Sequence, residues 1–337
     1  MIAPFRPSAS LPDGAAPLCA ADAAAAFDAI FDGGADDAAV AAFLITLADR
    51  GETAVEIAAA ARAMRNRMVR VDAPANAIDV CGTGGDGFHT LNVSTAVALV
   101  VAACGVPVAK HGNRAASSSA GAADTLEAMG LNLNRGADRA GESLRELGIA
   151  FLFAGQHHPA MGRILPIRRA IGRRTIFNLI GPLANPAGVR RQLIGIARPD
   201  YVPIYAAALA DLGSDHSLIV SGDEGLDELS LAGANHVAVV TPTGVTHQRW
   251  RAVDAGLPTH SVDALRGGDP AFNAAALRAL LLGQTGAYRD AVLFNAAAAL
   301  VVAGEASNLA DGVEEAAEAI DKGLANALLN CWIDFLK

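Results

Sequence analysis

The stretch Asp79-Val80-Cys81-Gly82-Thr83-Gly84-Gly85-Asp86-Gly87-Phe88-His89-Thr90-Leu91-Asn92-Val93-Ser94-Thr95 constrains this chain more than any other. The apolar run 77–81 reads as a buried strand, and four glycines follow within six residues. Asn92, Ser94 and Thr95 then open an apolar helical run, 96–104, which Gly105 ends as a C-terminal cap. A strand, a glycine loop and a helix start together present backbone N–H groups and the positive end of a helix to an anion. Glycine lets the backbone approach a phosphate with no Cβ in the way. The stretch is therefore read as a phosphate cradle.

Two other readings of it stand. Gly82, Gly84 and Gly87 also satisfy G-x-G-x-x-G, the dinucleotide fingerprint, which wants an acidic residue about 20 positions on for the ribose hydroxyls. No acidic residue occurs from Phe88 to Ala123, which speaks against NAD. NADP stays open, because Lys110, His111 and Arg114 offer charge for an extra phosphate. A purely structural turn also stays open in a segment so dense in Gly, Asp, Asn, Ser and Thr.

The chain has 337 residues, room for two domains or one large one. Aromatics are only 5%, so the core must be aliphatic. A net charge of −9 lacks the basic footprint of a general nucleic-acid binder and suits a small-molecule enzyme. Cys19, Cys81, Cys104 and Cys331 form no C-x-x-C pair and are expected to be buried apolar filler in a reducing compartment. The N-terminal residues make a poor signal peptide, and the longest apolar run, 96–109, is broken by Gly105 and Pro107 and too short to span a bilayer. A cytoplasmic protein with no membrane partner is expected.

Residues 1–20 read as a flexible arm. From 21 to 73 the pattern is helical, with loops at Asp32-Gly33-Gly34 and Asp49-Arg50-Gly51 and a clear helix over 53–67. From residue 74 the rhythm becomes strand–helix alternation, with strands at 78–81, 106–109, 150–153, 193–197, 217–221 and 237–241. Helices fall at 92–104, 121–129, 137–147 and 203–212, and 271–335 is largely helical. Such alternation predicts an α/β domain with a mostly parallel sheet and ligands at the carboxyl ends of its strands.

Three further constellations carry chemistry. Lys110-His111-Gly112-Asn113-Arg114-Ala115-Ala116-Ser117-Ser118 follows the second strand as a loop with charge and hydroxyl donors, a second anion site beside the first. Gly222-Asp223-Glu224-Gly225-Leu226-Asp227-Glu228 puts four carboxylates into six residues at a strand's end. Hard oxygens beside a polyphosphate suit Mg²⁺, with Asp227 and Glu228 preferred and Asp223 and Glu224 left as a solvated turn. Finally Arg163, Arg168, Arg169, Arg173 and Arg174 lie within twelve residues; one or two suit a bidentate grip on a substrate carboxylate.

These motifs, with His158-Pro159-Ala160-Met161 and Arg173-Arg174-Thr175-Ile176-Phe177-Asn178, occur in an order that closely resembles the anthranilate phosphoribosyltransferases over roughly residues 21–335. The resemblance implies a small all-helical domain plus a large α/β domain of the nucleoside phosphorylase/phosphoribosyltransferase type. The helical domain, 21–73, takes a second contribution from about 158–187; 74–157 and 188–337 form the α/β domain. It also implies a homodimer, the substrates anthranilate and 5-phosphoribosyl 1-pyrophosphate, and Mg²⁺. Carried over by motif, Gly82, Gly85, Asp86, Thr90, Asn92, Val93, Ser94 and Thr95 line the phosphoribosyl pyrophosphate site. Lys110, His111, Gly112, Asn113, Arg114, Ala115, Ala116, Ser117, Ser118 and Ala122 complete it. Gly82, Asn113 and Arg168 fall at anthranilate contacts, and Ser94, Asp227 and Glu228 at metal ligands. Ala122 stands where the family usually has serine, which removes a hydroxyl donor worth about 1 kcal/mol. Gly162 stands where lysine is common.

The reaction so implied needs no catalytic Ser, Cys or His, since an aromatic amine is already neutral at pH 7. His111 is expected to shape the loop by hydrogen bonding. Two alternatives are a pyrimidine nucleoside phosphorylase-like enzyme, disfavoured by the Asp227-Glu228 pair and the Asp86 loop, and a non-catalytic nucleic-acid-binding relative, which would not keep both.

Overall fold

The computed structural model describes residues 10–115 and 119–337. Ala116, Ser117 and Ser118 lie outside the described residues.

The chain opens with three helices, α1 (Ala20–Asp32), α2 (Asp37–Arg50) and α3 (Ala54–Arg65). Asp36 caps α2, and Thr53 with Glu56 forms a capping box on α3. Of the arm expected over 1–20, the described part packs down. The Gly14 backbone lies against Phe43 and Leu47, Leu18 is buried, and its N–H donates to Glu56 Oε1 at 3.0 Å.

The alternation then begins: β1 (Ile78–Gly82), α4 (Val93–Ala103), β2 (Val108–Gly112), α5 (Ala122–Ala128), α6 (Leu133–Asp138), α7 (Ala140–Leu147) and β3 (Ile149–Phe153). Next come α8 (Ala154–His157), α9 (Met161–Ile171), β4 (Arg191–Gly195), α10 (Val202–Asp211), β5 (His216–Gly222), β6 (Ala234–Thr241) and β7 (Gly244–Arg251). Four helices follow: α11 (Pro270–Leu281), α12 (Ala287–Ala303), α13 (Leu309–Asp321) and α14 (Leu324–Phe335). Among the described residues seven strands form one sheet in the order β3-β2-β1-β4-β5-β6-β7. The first five are parallel, and β6 and β7 are antiparallel. The helical and mostly parallel α/β parts agree with the expected fold class. The chain runs outward from β1 to β3, then returns to the other side of β1 with β4. That reversal makes a switch point at the carboxyl end of β1, where an open α/β sheet holds its ligand.

Two large apolar clusters cover the sheet. One packs α4 and α11–α14 on one face. The other joins α1–α3, α10, Ile164, Ile167, Ile176, Phe177 and Leu183 against Cys81, Ile194 and Ile219 on the opposite face.

Several expectations change. The second strand runs over Val108–Gly112, so Lys110, His111 and Gly112 belong to it and not to a loop. A lysine and a histidine can sit in a buried strand here because each finds an internal partner, as described below. β7 has no counterpart among the expected strands; it is mostly exposed and pairs with β6 alone, so its residues show no apolar alternation. Cys19 and Cys331 are exposed, against the expectation of burial for all four cysteines. Cys19 sits at the N-cap of α1, where its sulfur accepts from the Asp22 N–H. No described helix is long and apolar enough to cross a membrane.

Candidate active site

A cavity of about 340 Å³ opens at the switch point. The loops after β1, β2 and β5 line it, together with the N-terminus of α4, the first residue of α5 and the segment following β3.

The glycine loop owes its shape to backbone conformations that side chains resist: φ is 68° at Gly84, 81° at Gly85 and 79° at Gly87. Thr83 N–H is held by Gly195 O, and Gly84 N–H by the Asp227 carboxylate at 2.6 Å. The N–H groups of Gly85, Asp86 and Gly87 carry no partner among the described residues. They are uncommitted donors, and those of Gly85 and Asp86 belong to residues that line the cavity.

Asp227 comes from the loop after β5 and reaches β1 because Gly82 and Gly195 leave it room; a Cβ at either would collide with it. Its neighbour Glu228 accepts the Ser94 N–H at 3.1 Å, at the start of α4. Burial, then the charge of Asp86, pushes the Asp227 carboxyl well up; burial, then the charge of Asp227, does the same to Glu228. Three acidic groups crowd together here, and Lys110 is the cation that opposes Glu228. Lys110 Nζ donates to Val80 O at 2.7 Å and Ser94 Oγ at 3.1 Å. Among the described residues no group of three His, Cys, Asp or Glu forms a closed metal cage. Two half-buried carboxylates side by side fit an ion that keeps water and ligand phosphates in its shell. Asp223 and Glu224 turn aside, Asp223 to Arg249 and Glu224 to the Ser230 hydroxyl.

Gly82, Gly85, Asp86, Thr90, Asn92, Val93, Ser94, Thr95, Lys110, His111, Gly112, Asn113, Arg114, Ala115, Ala122, Arg168, Asp227 and Glu228 all line this one cavity. The side chains of Arg114 and Asn92 are held away from it. The Arg114 guanidinium, expected at the substrate, pairs with Asp124 at 3.0 Å and Glu127 at 2.5 Å. These two carboxylates lie on the helix that its own loop leads into. The Asn92 amide ties α4 to its neighbours, accepting from Thr125 Oγ1 at 2.6 Å and from Asn273 Nδ2 at 2.9 Å. In the basic segment Arg163 pairs with Asp37 and Arg173 with Asp49, whereas Arg168 is half-buried, lines the cavity and has no ion pair among the described residues.

Sequence reasoning did not weigh Asp79 or the pairing of His158. Asp79, on β1, is fully buried and accepts from His111 N–H and Asn185 Nδ2, tying β1 to β2 and to the segment between α9 and β4. A lone aspartate inside the apolar run 77–81 was the available signal. His158 Nε2 lies 3.1 Å from His111 Nε2, while His111 Nδ1 lies 3.0 Å from Gly181 O. A carbonyl only accepts, so His111 donates through Nδ1 and receives from His158 through Nε2. Where a loop-shaping role was expected, His111 sits in β2 and hydrogen-bonds to Gly181 O and His158.

Burial, then the neighbouring His158, holds His111 down at about 3, and burial holds His158 at about 4. The unfolded chain, with ordinary histidines, binds more protons than the folded one between those values and about 6.5. Stability is therefore expected to fall as pH drops from about 6.5 toward 4, at up to about 1.4 kcal/mol per unit for each histidine. Thermal melts from pH 7 to 4 should show this acid loss, and His111→Gln should flatten it; an equally steep loss in that variant removes His111 as the cause.

Residues 11–68 match the family model described as glycosyl transferase family, helical bundle domain, and residues 74–326 match the glycosyl transferase family a/b domain. The chain is thus built as a two-domain glycosyl transferase. It is 72% identical to the anthranilate phosphoribosyltransferase of Sphingopyxis alaskensis over 324 residues, 96% of this chain and 98% of that one. The crystal structure of the Thermus thermophilus anthranilate phosphoribosyltransferase superposes with a TM-score of 0.90 at 42% identity, covering 96% of this chain and 97% of that one. The Saccharomyces cerevisiae enzyme in complex with phosphoribosyl pyrophosphate and Mg superposes at 0.86 with 28% identity, covering 95% and 93%. The chain belongs to the anthranilate phosphoribosyltransferase family.

Proposed function

We propose that this chain joins the amine of anthranilate to C1 of 5-phosphoribosyl 1-pyrophosphate, giving N-(5-phosphoribosyl)anthranilate and pyrophosphate. This is the second step from chorismate to tryptophan. The observation that carries this reading is the glycine loop closed by the Asp227 carboxylate, with Lys110 and Arg168 facing the same cavity. The paired Asp227 and Glu228 disfavour the phosphorylase alternative.

The free N–H groups of Gly85, Asp86 and Gly87 bind the diphosphate. Lys110, fixed by Val80 O and Ser94 Oγ, holds a positive charge beside the phosphoribosyl group. Arg168 and Asn113, with the Gly82 backbone nearby, orient anthranilate so that its neutral amine faces C1. Asp227, Glu228 and Ser94 are the groups that would hold Mg²⁺, which when bound supplies charge to the leaving pyrophosphate. No side chain is assigned a covalent role.

We place the helical domain at 21–73 together with about 158–187, on the packing of Ile164, Ile167 and Phe177 with α1–α3. The α/β domain is then 74–157 and 188–337. We also propose a homodimer, supported by the exposed apolar Val55 and Leu165 on α3 and α9, and a cytoplasmic location, supported by four free cysteines. Nucleic acid is not assigned as a partner, in keeping with the net charge of −9.

The test is loss of anthranilate fluorescence on mixing with phosphoribosyl pyrophosphate. A Mg²⁺-dependent loss, abolished by chelator, is expected; no loss, with phosphoribosyl pyrophosphate still bound, points to another acceptor. Arg168→Ala should raise KM for anthranilate at least tenfold, about the effect of one charged hydrogen bond, and leave phosphoribosyl pyrophosphate binding within twofold. Equal weakening of both ligands by calorimetry would count against that role.

A further inference from the structure

Of the arginines in 163–174, two are left half-buried and without an ion pair among the described residues: Arg168, which lines the main cavity, and Arg174, which does not. Arg174 Nη2 is buried with no hydrogen-bond partner, and no hydrogen bond to Arg174 occurs among the described residues. An unsatisfied buried guanidinium nitrogen is costly and calls for a partner the protein alone does not supply. Arg174 borders a second cavity of about 250 Å³ with Glu52, Arg173, Arg198 and Tyr201. The other groups there are already engaged: Arg173 with Asp49, Arg198 with Asp200, and the Tyr201 hydroxyl with Glu52 at 2.6 Å.

Its other nitrogen gives the direction. Arg174 Nη1 stands 3.9 Å from where a Cβ on Gly85 would sit, directly at the loop whose N–H groups are free. Asp227 is close enough to act on it electrostatically. The loop is otherwise bordered by Asp86, Asp227 and Glu228, so its neighbouring side chains bring no cation of their own to a diphosphate. Lys110 is committed to Val80 O and Ser94 Oγ.

We propose that Arg174 contacts the diphosphate over the glycine loop and stabilises the charge that gathers on it as it leaves. The inference rests on the function proposed above. In the step concerned, the bond from C1 to the diphosphate oxygen breaks and its electron pair leaves with that oxygen. The amine lone pair of anthranilate forms the new bond to C1, and the nitrogen then gives up a proton to solvent. Arg174 transfers nothing; its planar donor fork meets the oxygen that gains charge, a geometry that a lysine point charge does not reproduce.

The test compares the full-length wild type with Arg174→Gln and Arg174→Lys, by steady-state kinetics and by calorimetry with inorganic diphosphate and Mg²⁺. Arg174→Gln is expected to lower kcat/KM for phosphoribosyl pyrophosphate about 100-fold, the scale of losing one preorganised donor, and to weaken diphosphate binding at least tenfold. KM for anthranilate should stay within twofold, which a general loss of structure would not allow. Arg174→Lys, which keeps the charge and a similar stem, should recover only part of the diphosphate affinity. Wild-type diphosphate affinity in either variant overturns the inference. The calorimetric arm reads whether or not anthranilate is consumed, so failure of the proposed reaction and failure of this inference are seen separately.

Discussion

Asp227→Asn is expected to cut kcat/KM by about 10²- to 10³-fold, the range for removing one preorganised electrostatic group, and to raise the Mg²⁺ concentration for half-maximal rate at least tenfold. The reason lies in what the substitution spares. The carboxamide oxygen of Asn can still accept the Gly84 N–H, so the glycine loop keeps its anchor. What is lost is one negative charge from the crowded group of Asp86, Asp227 and Glu228. Asp227→Ala removes charge and anchor together, and the difference between the two variants measures the anchor alone. Titration of activity with Mg²⁺ in the Asn variant is the decisive measurement; an unchanged metal dependence takes Asp227 out of the metal site.

Gly195→Ala is expected to be as damaging without touching any charge. A Cβ there would run into the backbone carbonyl of Asp227, which cannot rotate away as a side chain can. The loop must move, carrying Asp227 off Gly84 and Glu228 off Ser94. Overpacking of this kind costs about 1–3 kcal/mol, and more where backbone is the obstacle. Activity should fall at least tenfold, with a Tm lowered by several degrees. Gly162→Ala is the control: nothing lies within 4 Å of its Cβ position, and it sits in α9, so stability should hold or rise slightly. Similar losses in both variants would refute the steric account of Gly195.

These two positions also show how far the chain can be read without its structure. The apolar run ahead of Gly82 and the helix behind Asn92 are legible because local pattern and burial agree there. Asp227 and Glu228 are legible as a type of ligand, but not as partners of Gly84 and Ser94, which lie 143 and 134 residues away in the chain. Lys110 and His111 read as loop residues because charge in a buried strand makes sense only once Val80 O, Ser94 Oγ and Gly181 O are in reach. Arg114 offers charge in the right motif, and only the fold brings Asp124 and Glu127 to claim it. Among five similar arginines, composition gives no means to separate the surface pairs of Arg163 and Arg173 from the half-buried Arg168 and Arg174. β7 escapes because an edge strand with exposed residues carries no apolar alternation.

The packing of α1 against Phe177 bears on how the chain is made. Phe27 and Phe31 meet the ring of Phe177 edge-on, at 6.4 and 5.6 Å between centroids. During synthesis the first helices emerge long before the aromatic residue that covers them, and three parallel strands must be made in between. The first helices therefore lack this covering ring until residue 177 is made, and completion of their packing is tied to the sheet that will carry the ligand.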